Sequence, residues 1–111
     1  MSQKETSLPF GLLPNELKAI VNVFKKFQEL KSVVIFGSRA MGTYHSGSDI
    51  DLAVFGPELN LSLNSKILTD LDALNLPYKI DLCFYTSLQN VELKEHIVRV
   101  GRIIYPENSE P

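Results

Sequence analysis

Two stretches decide the fold: Ser32-Val33-Val34-Ile35-Phe36-Gly37-Ser38-Arg39-Ala40-Met41-Gly42 and, after a polar loop, Ser48-Asp49-Ile50-Asp51-Leu52-Ala53-Val54-Phe55-Gly56. Ser32 to Phe36 is a β-branched, apolar run stopped by a glycine, the pattern of a strand covered on both faces. Ser38 to Gly42 follows as a short helical segment. Thr43 to Ser48 is polar and contains Gly47, so it reads as a loop. Ile50 to Phe55 is a second strand, ended by Gly56-Pro57. Two aspartates, Asp49 just before it and Asp51 within it, interrupt the apolar pattern at the start of that strand. On a strand, residues i and i+2 share a face, with Cα atoms ~6.6 Å apart. Asp49 and Asp51 therefore leave the sheet on one side, and Ile50 and Leu52 on the other.

Working outward, Leu17, Ile20, Val21, Phe24 and Phe27 form one helical stripe that begins near Pro14-Asn15. Glu16 lies in its first turn, where the helix dipole favours an acid. Leu63, Ile67, Leu68, Leu71 and Leu74 predict a second long helix from about Ser62 to Leu74. Tyr78 to Tyr85 reads as a third strand, and Val91 to Val100 as a helix with Gly101 at its C′ position. Arg102 to Tyr105 reads as a short terminal strand. The stretch from Gly56 to Pro77 is long enough for a crossover, so strands two and three can run parallel. The link between strands one and two leaves their relative direction open. The expected fold is α/β (α+β): a small mixed sheet backed by helices.

The third strand repeats the acidic signal as Ile80-Asp81-Leu82. If strands two and three are neighbours, Asp81 joins the face of Asp49 and Asp51. Three carboxylates within ~5 Å repel by about 3 kcal/mol per pair at an effective dielectric of ~20. Two remedies exist, proton uptake by one acid or hard cations. Oxygen-only ligands suit Mg²⁺, which keeps waters and completes its shell with substrate phosphates. Two such ions ~3.5–4 Å apart can clamp both oxygens of a phosphoryl displacement. Gly37 leaves room for a phosphate to approach the backbone, Ser38 adds a hydroxyl, and Arg39 pairs either with a phosphate or with an aspartate. Ser48 either joins this nucleotide-binding set or caps a turn. Taken singly, a Gly-Ser after a strand is ordinarily a turn and an Asp-x-Asp ordinarily a solvated edge. Their conjunction points to the chemistry.

Composition narrows the alternatives. The chain has 111 residues, 44% hydrophobic and 22% charged, with 11 basic and 13 acidic residues and a net charge of −2. That fits one domain over residues 1–111, with an ordered core of about 8–106 and fraying polar ends at 1–6 and 107–111. A weakly acidic chain is poorly suited to direct nucleic-acid binding through bulk electrostatics. The one cysteine, Cys83, excludes an internal disulfide and reads as a packed, inert thiol. No apolar run approaches a membrane span, and Met1 to Ser7 lacks the apolar core of a secretion signal, so a cytoplasmic location is expected. His45 and His96 lack partners at zinc-ligand spacing. Tyr44 either touches a substrate or stacks on the surface.

The combined Gly37-Ser38-Arg39-Ala40-Met41-Gly42 and Ser48-Asp49-Ile50-Asp51-Leu52 pattern resembles the signature of the DNA polymerase β-like nucleotidyltransferases. The spacing and short length are similar to the minimal nucleotidyltransferase (MNT) members that pair with HEPN-domain toxins. The resemblance runs from about Asn15 to Tyr105. It implies that ATP binds with its phosphates near Gly37 and Ser38, with Arg39 and Ser48 in the same set. It also implies that Asp49, Asp51 and Asp81 are catalytic and hold two Mg²⁺ ions, and that Asp81 helps to take the proton of the attacking hydroxyl. The implied function is transfer of AMP to a tyrosine of a partner HEPN-domain toxin by its antitoxin, in a hetero-oligomer. The chain has little length for an acceptor-binding domain of its own, which is consistent with a partner supplying the acceptor. Two other functions remain open: a non-catalytic, nucleotide-binding antitoxin that neutralises its partner by binding, and a small-molecule nucleotidyltransferase.

Overall fold

The computed structural model describes residues 8–106. The ends expected to fray, 1–6 and 107–111, lie outside the described residues. The element order is α1 (Pro14–Phe24), β1 (Ser32–Phe36), α2 (Gly37–Met41), β2 (Ile50–Phe55), α3 (Leu61–Asp72), β3 (Ile80–Phe84), α4 (Val91–Val100) and β4 (Arg102–Tyr105). Short 3-10 turns at Pro9–Gly11 and Tyr85–Ser87 complete it.

Local chemistry sets the helix starts. Pro14 opens α1, and the Glu16 carboxylate accepts the Leu13 N–H at 2.9 Å. Asn60 and Asn90 cap α3 and α4 by accepting the Leu63 and Leu93 amides, each at 3.0 Å. The Asn60 cap starts α3 at Leu61, one residue before the expected Ser62. α1 stops at Phe24, short of Phe27, yet Phe27 continues in a turn (its N–H reaches Phe24 O at 3.1 Å) and still packs against the core. The stripe is correct and the helix is shorter.

The sheet order is β3-β2-β1-β4. β1 is antiparallel to β2 and to β4, which resolves the direction that the sequence left open. β2 and β3 are parallel, with α3 as the crossover. α1 and α3 cover one face through Ile20, Phe24, Leu63 and Ile67 against Val33, Ile35, Leu52 and Val54. α4 covers the other through Ile97 against Val34 and Ala53. Both faces are dressed, which is why Val33 to Phe36 of β1 reads as an unbroken apolar run. Each fully buried aliphatic or Phe side chain contributes about 1.5–3 kcal/mol.

Gly101 corrects the expected C′ role. Its φ of −65° is ordinary extended backbone, so no left-handed cap is formed. The glycine is needed for space instead, because a Cβ there would collide with the Ile97 carbonyl oxygen and with Val34 Cγ1. Gly101→Ala is therefore expected to cost about 1–3 kcal/mol in a urea melt. An unchanged midpoint would show that the α4–β4 junction relaxes freely.

Candidate active site

Register assembles the acids. In the parallel β2–β3 pair, Asp51 lies directly opposite Asp81, while in the β1–β2 pair it lies opposite Phe36. Neighbouring strands are about 4.8 Å apart, so Asp51 and Asp81 are adjacent on one face. It is the face that α4 covers, because Ala53 and Cys83, two residues further along each strand, pack with Ile97. Asp49 precedes β2 by one residue and is exposed.

Asp51 is half-buried and feels its neighbours. Its carboxyl is held above the ordinary 3.8, first by burial, then by the charges of Asp81 and Asp49, with His96 acting in the opposite sense. Asp81 is 51% exposed and lies 3.9 Å from Lys79 Nζ, itself 72% exposed. Water screens such a pair heavily. The crowding is thus felt chiefly at Asp51, with the other two acids open to solvent.

Gly37 carries an unexpected packing role. Its φ is +74°, and a Cβ on it would run into the Asp51 carboxylate. The space made by the missing side chain is thus filled by Asp51 itself rather than held free for a phosphate. Ser38 follows in the first turn of α2, next to this contact.

Arg39 differs most from expectation. Instead of meeting a phosphate or an aspartate, it is 2% exposed and bound to main-chain carbonyls. Nε and Nη2 donate to Ser48 O at 3.1 and 2.9 Å, Nη2 also to Ser46 O at 3.3 Å, and Nη1 to Phe10 O at 2.8 Å. Its guanidinium carbon lies 5.1 Å from the Tyr44 ring centre and 4.7 Å from that of Tyr78. Hydrogen bonds from a charged donor are worth about 1.5–3 kcal/mol each, and a desolvated cation–π contact about 2. Tyr44 thus stacks on Arg39. Ser48 takes its turn-capping role, as its hydroxyl oxygen accepts the His45 N–H at 2.8 Å.

His96 is the residue that sequence reasoning passed over. It projects from α4 with its ring 6.0 Å from that of Phe36 in an edge-on contact, close enough for its charge to act on Asp51. Helical spacing puts His96 beside Leu93 and Val100 on an inward-facing side. Nothing in the sequence says that this side covers the acids. Cys83 shares the face, and burial, with Asp51 second, pushes its thiol up to about 11, as expected of an inert cysteine.

Among the described residues, no three His, Cys, Asp or Glu side chains converge into a ready metal cage. Mg²⁺ does not demand one, as it is usually held by one or two carboxylates with waters and substrate phosphates. A half-buried acid flanked by two solvent-facing acids is an all-oxygen donor set that fits such an ion.

A family model described as "Polymerase beta, Nucleotidyltransferase" matches residues 18–110. A comparison with curated protein sequences gave no match. Among solved structures, the chain is similar to a toxin–antitoxin with AMP-PNP, at 28% identity and a TM-score of 0.65 over 78% of this chain and 70% of that one. It is similar to a mutant MntA–HpeT toxin–antitoxin, at 28% identity and a TM-score of 0.65 over 85% of this chain and 72% of that one. A tri-AMPylated Shewanella oneidensis HEPN toxin in complex with MNT antitoxin shares the fold, at 22% identity and a TM-score of 0.60 over 80% of this chain and 68% of that one.

Two outcomes test the geometry. Asp51 binds its proton more tightly folded than unfolded, so its contribution to stability is lost as pH rises from about 3.8 through the raised folded value. With a chelator present, Asp51→Asn should melt at the parent's temperature or above it at pH 7, and the difference should close toward pH 3. A lower melting temperature at neutral pH would contradict the crowding. Gly37→Ala should cost at least about 1 kcal/mol through its positive φ alone, and more through the collision with Asp51. A denaturant melt matching the parent's would refute that contact.

Proposed function

The chain belongs to the polymerase beta nucleotidyltransferase family, and we propose that it is a Mg²⁺-dependent adenylyltransferase that transfers AMP from ATP to a tyrosine hydroxyl of a HEPN-domain toxin, as the antitoxin of that pair. The observation that carries this reading is the register of Asp51 against Asp81, with Asp49 beside them and Gly37-Ser38 adjoining. The similarity to a toxin–antitoxin with AMP-PNP supports the nucleotide and the partner class. No helix among the described residues is long and apolar enough to cross a membrane.

In this mechanism Asp49, Asp51 and Asp81 hold the Mg²⁺ ions, and Gly37 and Ser38 adjoin the phosphates. Bound Mg²⁺ supplies charge neutralisation for the triphosphate and the departing pyrophosphate. The acceptor oxygen forms a bond to the α-phosphorus while the bond from that phosphorus to the pyrophosphate oxygen breaks. The proton of the acceptor hydroxyl passes to Asp81, whose exposed carboxylate is open to an incoming group. Asp51, packed against Gly37, is the most buried of the three acids. Positioning and charge compensation then supply most of the acceleration.

Mixing the protein with its toxin, ATP and Mg²⁺ should add one or more AMP units to the toxin, seen by intact mass. EDTA should prevent the addition, and Asp51→Asn should reduce its rate by about 10²-fold or more, the scale on which lost transition-state charge stabilisation is measured. Full protection of toxin-expressing cells by Asp51→Asn would instead assign neutralisation to binding alone.

A further inference from the structure

Arg39 is a buried cation with no carboxylate partner among the described residues. Among the described residues the ion pairs are Lys26–Asp70 and Lys79–Asp81, and neither involves it. Its charge is balanced by three carbonyl oxygens and two ring faces, an expensive arrangement for a small domain unless something depends on it. The segments that it joins are the informative part. Ser46 and Ser48 belong to the loop that runs directly into Asp49. Tyr78 lies just before β3, which carries Asp81. The Ile50 N–H bonds Lys79 O at 2.9 Å, so the starts of β2 and β3 meet beside the clamp.

The far side of the clamp is held under strain. Phe10, whose carbonyl receives Nη1, has a φ of 58°, a left-handed conformation that a bulky residue rarely adopts. Gly11 follows at φ +72°, where a Cβ would collide with the Tyr44 ring. The Tyr78 hydroxyl donates to Glu16 Oε1 at 3.0 Å, and Glu16 also accepts the Leu13 N–H at the start of α1. Strain of this kind persists only where the surroundings over-determine it.

We propose that Arg39 is a positioning residue for the acid cluster: by gripping Ser46 O and Ser48 O while lying over Tyr78, it fixes the segments leading into β2 and β3 against each other and so places Asp49 relative to Asp81. Its own atoms stay away from the substrate. The inference rests on the proposed function for its catalytic consequence and on geometry alone for the clamp.

The test uses Arg39→Lys, which keeps the charge but loses the planar fork that reaches several carbonyls together. Tyr44→Leu, which removes one ring face, takes its place if the lysine variant does not fold. Transfer to the toxin is followed against Mg²⁺ concentration. The expected result is a rise of about tenfold in the Mg²⁺ needed for half-maximal rate (an equilibrium change of about 1.4 kcal/mol), with the rate at saturating Mg²⁺ within about threefold of the parent's. Gly101→Ala, destabilised at the α4–β4 junction where its Cβ meets Ile97 and Val34 and no group of the clamp, serves as the control for lost stability. An unchanged Mg²⁺ requirement in the Arg39 variant would overturn the proposal, as would an equal shift in Gly101→Ala. Amide exchange over residues 43–49 reads the clamp without any transfer. It should quicken in the Arg39 variant and stay at the parent's rate in Gly101→Ala, and unchanged protection overturns the clamp. If the parent transfers no AMP, the proposed function fails, and the exchange result still decides the clamp.

Discussion

Mutual repulsion among acids on one sheet face is the constraint around which the rest of the chain is arranged. The burden falls on Asp51, since Asp49 and Asp81 face water while Asp51 is half-buried against Gly37. Removing that burden would take one substitution in an apolar strand. Keeping it requires a strand end with no Cβ at Gly37, a parallel neighbour in register, and a helix that covers the sheet without sealing off the acids. Each of these features is present. Like charges gathered on one face are the kind of burden that a cation placed among them relieves.

Two kinds of rigidity support the cluster. One is apolar: the sheet is packed on both faces, and its central strands are nearly free of solvent contact. The other is polar, the Arg39 clamp with its two tyrosines, three carbonyls and the Glu16 link to α1. The apolar part fixes where the strands lie. The polar part controls how the chain runs into them, which backbone pairing leaves loose at strand ends. His96 joins the two, as its ring rests on Phe36 while its charge is felt at Asp51.

Much of this was legible in the sequence. Periodicity located β1 and β2 at their observed limits, because a strand covered on both faces gives an apolar run with sharp glycine stops. The two-residue period predicted a shared strand face for Asp49 and Asp51, whereas the strand itself begins only at Ile50, one residue after Asp49. What stayed hidden depended on contacts distant along the chain. A link of a dozen or so residues is compatible with either strand direction, so the antiparallel β1–β2 pairing could not be read. An arginine beside a glycine and a serine suggests an anion, and no local pattern tells that backbone carbonyls will converge on it. Gly101 sits where a helix-ending glycine belongs, and only the folded positions of the Ile97 carbonyl and Val34 show that its role is to leave space.

The parallel join of β2 to β3 has a kinetic corollary. β1 and β2 are connected through α2 and a loop, whereas β3 reaches β2 only after the whole α3 crossover has been laid down. Pairing across such a sequence distance closes a long loop and is a slow class of event. The carboxylates of β2 and β3 therefore meet only when those two strands pair, whereas the β1–β2 pairing sets Asp51 against Phe36 and no acid of its neighbour. The electrostatic penalty lands on the nonlocal docking step, where positive charge brought between the two strands would lower it.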